Sequence, residues 1–218
     1  MKKTNKTSFK KGFTLAEILI TLGIIGVVAV LTLPLLMANY RKHVVENKLK
    51  KFYTIMNQAV KFSEAEYGEF SYWDGFESGN PDAMIAWWNK YFAPHVKTLK
   101  IERINNVNYV YLADGTKLQI FNYGYGGIGF AIHIYFYPKA SSHTNVMGKD
   151  YFTFYINPNT NKNLAVVEPY KFAWDGTEDA LRYSGEYACK ASSAWPHYCT
   201  ALIQFNGWKI PKDYPFRF

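Results

Sequence analysis

Hydrophobic and polar positions along the chain fall into three regimes. Residues 18 to 38 form 21 consecutive positions without a charge, apolar on every side of any helix they could make. At 1.5 Å per residue such a helix reaches about 30 Å, the thickness of a bilayer's hydrocarbon core. After Ala38 the pattern turns amphipathic. Val45, Leu49, Phe52, Met56 and Ala59 recur at steps of four, three, four and three, with Glu46, Lys48, Lys50 and Lys51 expected off that stripe. This period predicts that the helix continues to about Tyr67 and packs its second half on a globular body that begins at the turn-rich Glu66-Tyr67-Gly68-Glu69. In the body, residues 82 to 91 read as a short helix after the Asn80-Pro81 signal. Residues 107 to 112, the Asp114-Gly115 turn and residues 116 to 121 read as a hairpin, and residues 130 to 137 and 151 to 156 alternate like further antiparallel strands. The expected fold class is α+β: a long N-terminal helix, half membrane-spanning and half amphipathic, packed on an antiparallel sheet.

Composition narrows this picture. With 49% apolar and 18% aromatic residues in 218, the chain has material for one good-sized core, and disorder is excluded. The net charge of +8 invites a nucleic-acid reading until it is split by position. Residues 1 to 12 hold Lys2, Lys3, Lys6, Lys10 and Lys11 and no acid; residues 41 to 51 hold Arg41, Lys42, Lys48, Lys50 and Lys51 against Glu46; from Phe52 onward there are 15 basic and 15 acidic residues. A neutral body lacks the electrostatic footprint of duplex binding. A secretory signal peptide is the competing reading of the N-terminus, but the apolar run is too long and no small-x-small cleavage site closes it. Glu17 stands at the edge of the apolar run, where a charge costs roughly 2.5 to 3.5 kcal/mol. It calls for a partner, or else snorkels to the headgroups.

Lys11-Gly12-Phe13-Thr14-Leu15-Ala16-Glu17 resembles the class III leader junction of type IV prepilins and type II secretion pseudopilins, and Pro34 matches the family's proline 21 residues beyond the phenylalanine. The resemblance is specific from Lys10 to about Ala65. Downstream, residues 145 to 154 and the C-terminal Cys pair look like features of bacterial pseudopilin-like proteins. The resemblance implies a pilin-like fold, a prepilin peptidase that cuts between Gly12 and Phe13 on the cytoplasmic face, and N-methylation of Phe13. The implied organisation is a leader at 1–12, a transmembrane and filament-core helix at 13–38, its amphipathic continuation at 39–67, and an exported body at 68–218. It further implies a single-pass protein of the inner membrane whose partners are other pilin or pseudopilin subunits, with the assembly platform and ATPase machinery acting indirectly. The chemistry agrees. Glycine puts no side chain before the scissile bond. The new amine at Phe13 is poorly placed to satisfy Glu17 within one helix, whereas a neighbouring subunit's amine would offset the desolvation of both charges and set an axial stagger. Pro34 removes a helix hydrogen bond, and Gly23 and Gly26 weaken the helix before it, so 26–34 is a candidate melting segment. The alternative is that Gly and Pro are simply commoner in membrane helices.

Cys189 and Cys199, with nine residues between them, fit neither a CxxC redox motif nor a zinc site. A disulfide in an exported body is the expectation, two buried free thiols the alternative. Trp195 and Tyr198 lie so close to that tether that at least one is expected outside the core. Gly124-x-Gly126-x-x-Gly129 matches a dinucleotide fingerprint, but a strand pattern follows it where a helix is needed. Asn157, Asn159, Asn161 and Glu168 fall at EF-hand positions, yet Asp is absent from the first and Lys162 occupies the glycine position. His43, His95, His133, His143 and His197 have no paired metal spacing, and no nucleophile motif occurs. The expectation is a filament subunit, not an enzyme, without metal or cofactor. The rival reading is a singly anchored exported protein whose C-terminal aromatics Trp195, Tyr198, Phe205, Trp208, Tyr214 and Phe216 bind carbohydrate or single-stranded DNA.

Overall fold

A computed structural model describes residues 12–123, 132–141, 144–157 and 166–218. The chain divides into two compact units, Met1–Tyr40 and Arg41–Phe218, and helix α1 (Leu15–Tyr67) contributes to both. In the first unit the large apolar side chains from Leu15 to Met37 are exposed. Their helix is long and apolar enough to cross a membrane. It runs unbroken through Gly26 and Pro34, although Pro34 has no N–H to offer the preceding turn.

The second unit is built on a six-stranded antiparallel meander in the order β1 (Thr98–Ile104), β2 (Val107–Leu112), β3 (Lys117–Asn122), β4 (Ile132–Tyr137), β5 (Phe152–Asn157) and β6 (Val166–Pro169). Asn105 and Asn106, with φ of 49° and 62°, make the two-residue turn that pairs Ile104 with Val107, a backbone asparagine tolerates well. At the next turn the Asp114 carboxylate accepts from the Thr116 hydroxyl and N–H. One face of the sheet is apolar at alternate positions (Val110, Leu118, Ile120, Ile134, Phe136, Phe154) and receives the amphipathic half of α1. Leu49, Phe52, Met56 and Ala59 are buried there, with Phe52 stacked on Phe136 at 4.2 Å and edge-on to Phe154 at 4.9 Å. The Asn57 amide clasps strand β6, donating to the Val167 carbonyl at 2.7 Å and accepting from its N–H at 3.0 Å.

Helix α2 (Pro81–Tyr91) starts where the sequence places it: Asn80 caps it by accepting from the Ala83 N–H at 3.1 Å, and Pro81 takes the first turn. Its Tyr91 stacks on Trp73 at 4.3 Å. Two short helices, α3 (Glu178–Tyr183) and α4 (Cys199–Phe205), complete the C-terminal region. The architecture is α+β and pilin-like, as expected, with the amphipathic half of α1 inside the second unit. One expectation is corrected. Glu46 does not lie off the stripe; it is 5% exposed, one turn before Leu49 on the buried side.

Candidate functional site

At the start of α1, Gly12 has open space around it and Phe13 is 87% exposed. Thr14 and Glu17 form a reciprocal capping pair. The Thr14 N–H and hydroxyl donate to Glu17 Oε2 at 2.8 and 2.9 Å, and the Glu17 N–H donates to Thr14 Oγ1 at 3.3 Å. This is a Thr-x-x-Glu capping box immediately before an apolar run. Sequence reasoning assigned Glu17 only to an intermolecular partner or to snorkelling; the T-x-x-E spacing was the signal for this third role. An exposed Gly12-Phe13 junction, with no side chain at Gly12, and a carboxylate held at the helix N-terminus stand together within six residues.

The body carries a second carboxylate site. Glu46 accepts from the Ile210 N–H at 2.9 Å and from Lys209 Nζ at 2.9 Å, and His43 Nδ1 lies 3.0 Å from it. Burial pushes its carboxyl up, but the Ile210 N–H, Lys209 and His43 together outweigh burial and hold it below the ordinary glutamate range. The arrangement pins the segment after α4 to α1.

Cys189 and Cys199 are joined in a disulfide, with Cα atoms 4.6 Å apart. Inside the loop Trp195 is 54% exposed. One of the two thus lies outside the core, as expected, while Tyr198 is buried, its hydroxyl donating to the Phe172 carbonyl. Tyr198 immediately precedes α4 and enters the core with it. Of the other C-terminal aromatics Tyr214 is buried, Trp208 and Phe216 pack against the core and Phe205 is exposed, so they form no continuous stacking surface. His197 lies over the sheet with Nδ1 2.9 Å from Thr153 Oγ1, and its ring is 6.2 Å from that of His133. Burial pushes both imidazoles down to about 4, so both are neutral at physiological pH.

The remaining motifs disperse. His95 Nε2 approaches Glu66 at 3.7 Å. Glu168 receives Tyr155 and Lys171 at 2.8 Å each. Gly124, Gly126, Gly129, Asn159, Asn161, Lys162, His143 and the leader before Gly12 lie outside the described residues. Among the described residues no group of three or more His, Cys, Asp or Glu side chains could hold a metal ion.

Two family models match the chain. The prokaryotic N-terminal methylation motif covers residues 7–33, spanning Gly12, Phe13 and Glu17, so the chain carries a prepilin-type signal of the kind that marks pilin-type processing. No curated protein and no solved structure matches it. The second model covers residues 35–218, from the helix just past Pro34 through the whole body, and by that match the chain belongs to the family of unknown function DUF6613.

Proposed function

We propose that this chain is a structural subunit of a type IV pilus or of a type II secretion pseudopilus-like filament. Prepilin peptidase cuts between Gly12 and Phe13, the Phe13 amine is methylated, and α1 holds the subunit in the inner membrane until it is assembled. The observation that carries the reading is the coincidence, at one helix terminus, of the methylation motif with an apolar helix whose large side chains from Leu15 to Met37 are exposed. Such a surface requires lipid or other copies of the same helix.

Glu17 gives the assembly step its chemistry. In the monomer its carboxylate serves the N-terminus of its own helix through Thr14. In the filament it pairs with the Phe13 amine of a neighbour, which offsets the desolvation of both charges and fixes the stagger between subunits. The span from Gly26 to Pro34, helical in the monomer, is where the packed helix melts to accommodate its neighbours. The body is exported, which suits its disulfide.

The test is the mass of the N-terminal peptide from protein expressed in a host with prepilin peptidase. The reading expects a chain that starts at Phe13 with one methyl group added. An intact leader in that host overturns it.

A further inference from the structure

The apolar run of α1 stops at Ala38, and basic residues begin three positions later. Arg41 and Lys42 follow Tyr40 directly, Arg41 exposed and Lys42 half-buried. The C-terminal segment brings further cations to the same stretch of helix. Glu46, one turn past Lys42, accepts from the Ile210 N–H and from Lys209 Nζ at 2.9 Å each. Lys209 therefore stands beside α1, its side chain still 64% exposed, and exposed Lys212 follows two residues after Ile210.

The acids beside these cations are already engaged. Glu46 is buried, and Asp213, next to Lys212, takes Arg182 at 3.1 Å. Among the described residues Arg41, Lys42 and Lys212 take part in no ion pair. The excess is local: residues 41 to 51 hold five basic residues against Glu46, whereas the chain from Phe52 onward balances 15 against 15. A cluster of cations without acids of its own attracts a surface that carries net negative charge.

We infer that Arg41, Lys42, Lys209 and Lys212 form a collar that binds the phosphate headgroups of anionic lipids in the membrane that α1 crosses. The inference rests on the membrane reading of α1, and chain connectivity selects the occupant. A bilayer that holds residues 18–38 in its hydrocarbon has Arg41 about 5 Å past the hydrocarbon edge, and Glu46, eight residues past Ala38, no more than about 12 Å past it. The headgroup layer is about 5 to 8 Å thick on each side, and the Debye length adds about 8 Å. The cations that Glu46 gathers therefore stay within reach of lipid phosphates for as long as the helix is inserted. A soluble polyanion or a second copy has to displace the membrane surface to reach them. A zwitterionic headgroup offers a phosphate but cancels its field with its own cation, whereas a lipid of the phosphatidylglycerol type keeps its negative charge for the protein. By clasping Lys209, Glu46 makes the C-terminal segment of the body part of the membrane contact.

The test is amine-reactive labelling of the full-length chain in lipid nanodiscs that hold one copy each, with the rate at every lysine read by mass spectrometry. The discs are made of phosphatidylcholine alone or with one third phosphatidylglycerol. Lys42 and Lys212 are expected to label at least about fivefold more slowly in the anionic discs, an effect that high salt removes. Lys61 and Lys97, exposed elsewhere in the body, are expected to label equally in both. Arg41→Gln with Lys42→Gln, neither in the core, is expected to reduce the protection of Lys212 at least about twofold. Equal rates at Lys42 and Lys212 in the two lipids would overturn the inference and leave the membrane reading intact. A chain that does not enter nanodiscs would overturn the membrane reading, and the inference with it. Protection that requires several copies per disc and ignores the lipid would overturn the inference in favour of a second copy.

Discussion

From Leu15 to Tyr40 helix α1 shows apolar side chains to its surroundings on every side, whereas from Arg41 to Tyr67 the same helix buries Leu49, Phe52, Met56, Ala59 and Val60 along one stripe and leaves Lys50 and Lys51 outside. A stripe can be covered by one sheet of the same chain. A helix apolar all round cannot, and this one is long and apolar enough to cross a membrane. The two halves should therefore respond to mutation through different observables: the second through the stability of the monomer, the first through assembly.

The largest effect should separate the halves directly. Phe52→Ala removes a ring that stacks on Phe136 and meets Phe154 edge-on, and it should destabilise the body by about 3 to 5 kcal/mol. Ile25→Ala, in the exposed half, should leave the thermal unfolding of the body unchanged within error. Denaturant titration of the two variants in detergent measures both, and a comparable loss in Ile25→Ala would erase the distinction. Next in size, Cys189→Ser with Cys199→Ser opens a short loop and should cost about 3 kcal/mol, seen as a lower Tm under non-reducing conditions.

Glu46→Gln should cost about 1.5 to 3 kcal/mol, because it removes the charge from a buried acceptor of the Ile210 N–H and Lys209. Its pH dependence has a definite sign. The folded-state carboxyl is depressed, so the charged form contributes stability in full above the unfolded-state value of about 4.3, and this is lost as pH falls through the lower folded-state value. The gap between wild type and Glu46→Gln should be widest near neutrality and close in acid; a gap that widens in acid would reverse the assignment. The smallest effect belongs to Trp195→Ala. With the ring 54% exposed, the monomer should change by less than about 0.5 kcal/mol in a urea titration, leaving any larger consequence to contacts with other molecules.

What the sequence disclosed follows the same division. The apolar run, the amphipathic stripe, the capped α2 and the Asp114-Gly115 hairpin were legible because each rests on local chemistry that repeats over a turn or a strand. Strand β1 was not, because Lys100, Glu102 and Arg103 interrupt its alternation; as an edge strand it pairs on one side only and tolerates charge. Strand β6 is four residues long and ends in Pro169, too short for a period, and α4 has no side-chain cap to announce it. Glu46 was placed off the stripe because it is charged; its partners, Lys209 and Ile210, lie more than 160 positions away and no spacing rule reaches them. At the N-terminus the motif residues Gly12, Phe13 and Glu17 are evident, and the capping bond to Thr14 is carried by the Thr-x-x-Glu spacing, a signal that the charge of Glu17 beside an apolar run masks.

That capping bond also provides the cleanest test of the central claim, that Glu17 joins subunits through its charge. Glutamine at the third helical position still completes a capping box, but it cannot pair with an amine as an anion. Glu17→Gln should therefore insert in the membrane and keep its helix. In sheared filament fractions from cells expressing it in place of the wild type, quantified by immunoblot, it should be at least tenfold depleted, as should Glu17→Ala. Normal incorporation of Glu17→Gln alongside loss of Glu17→Ala would reduce Glu17 to a cap, and normal incorporation of both would contradict the charge-paired filament outright.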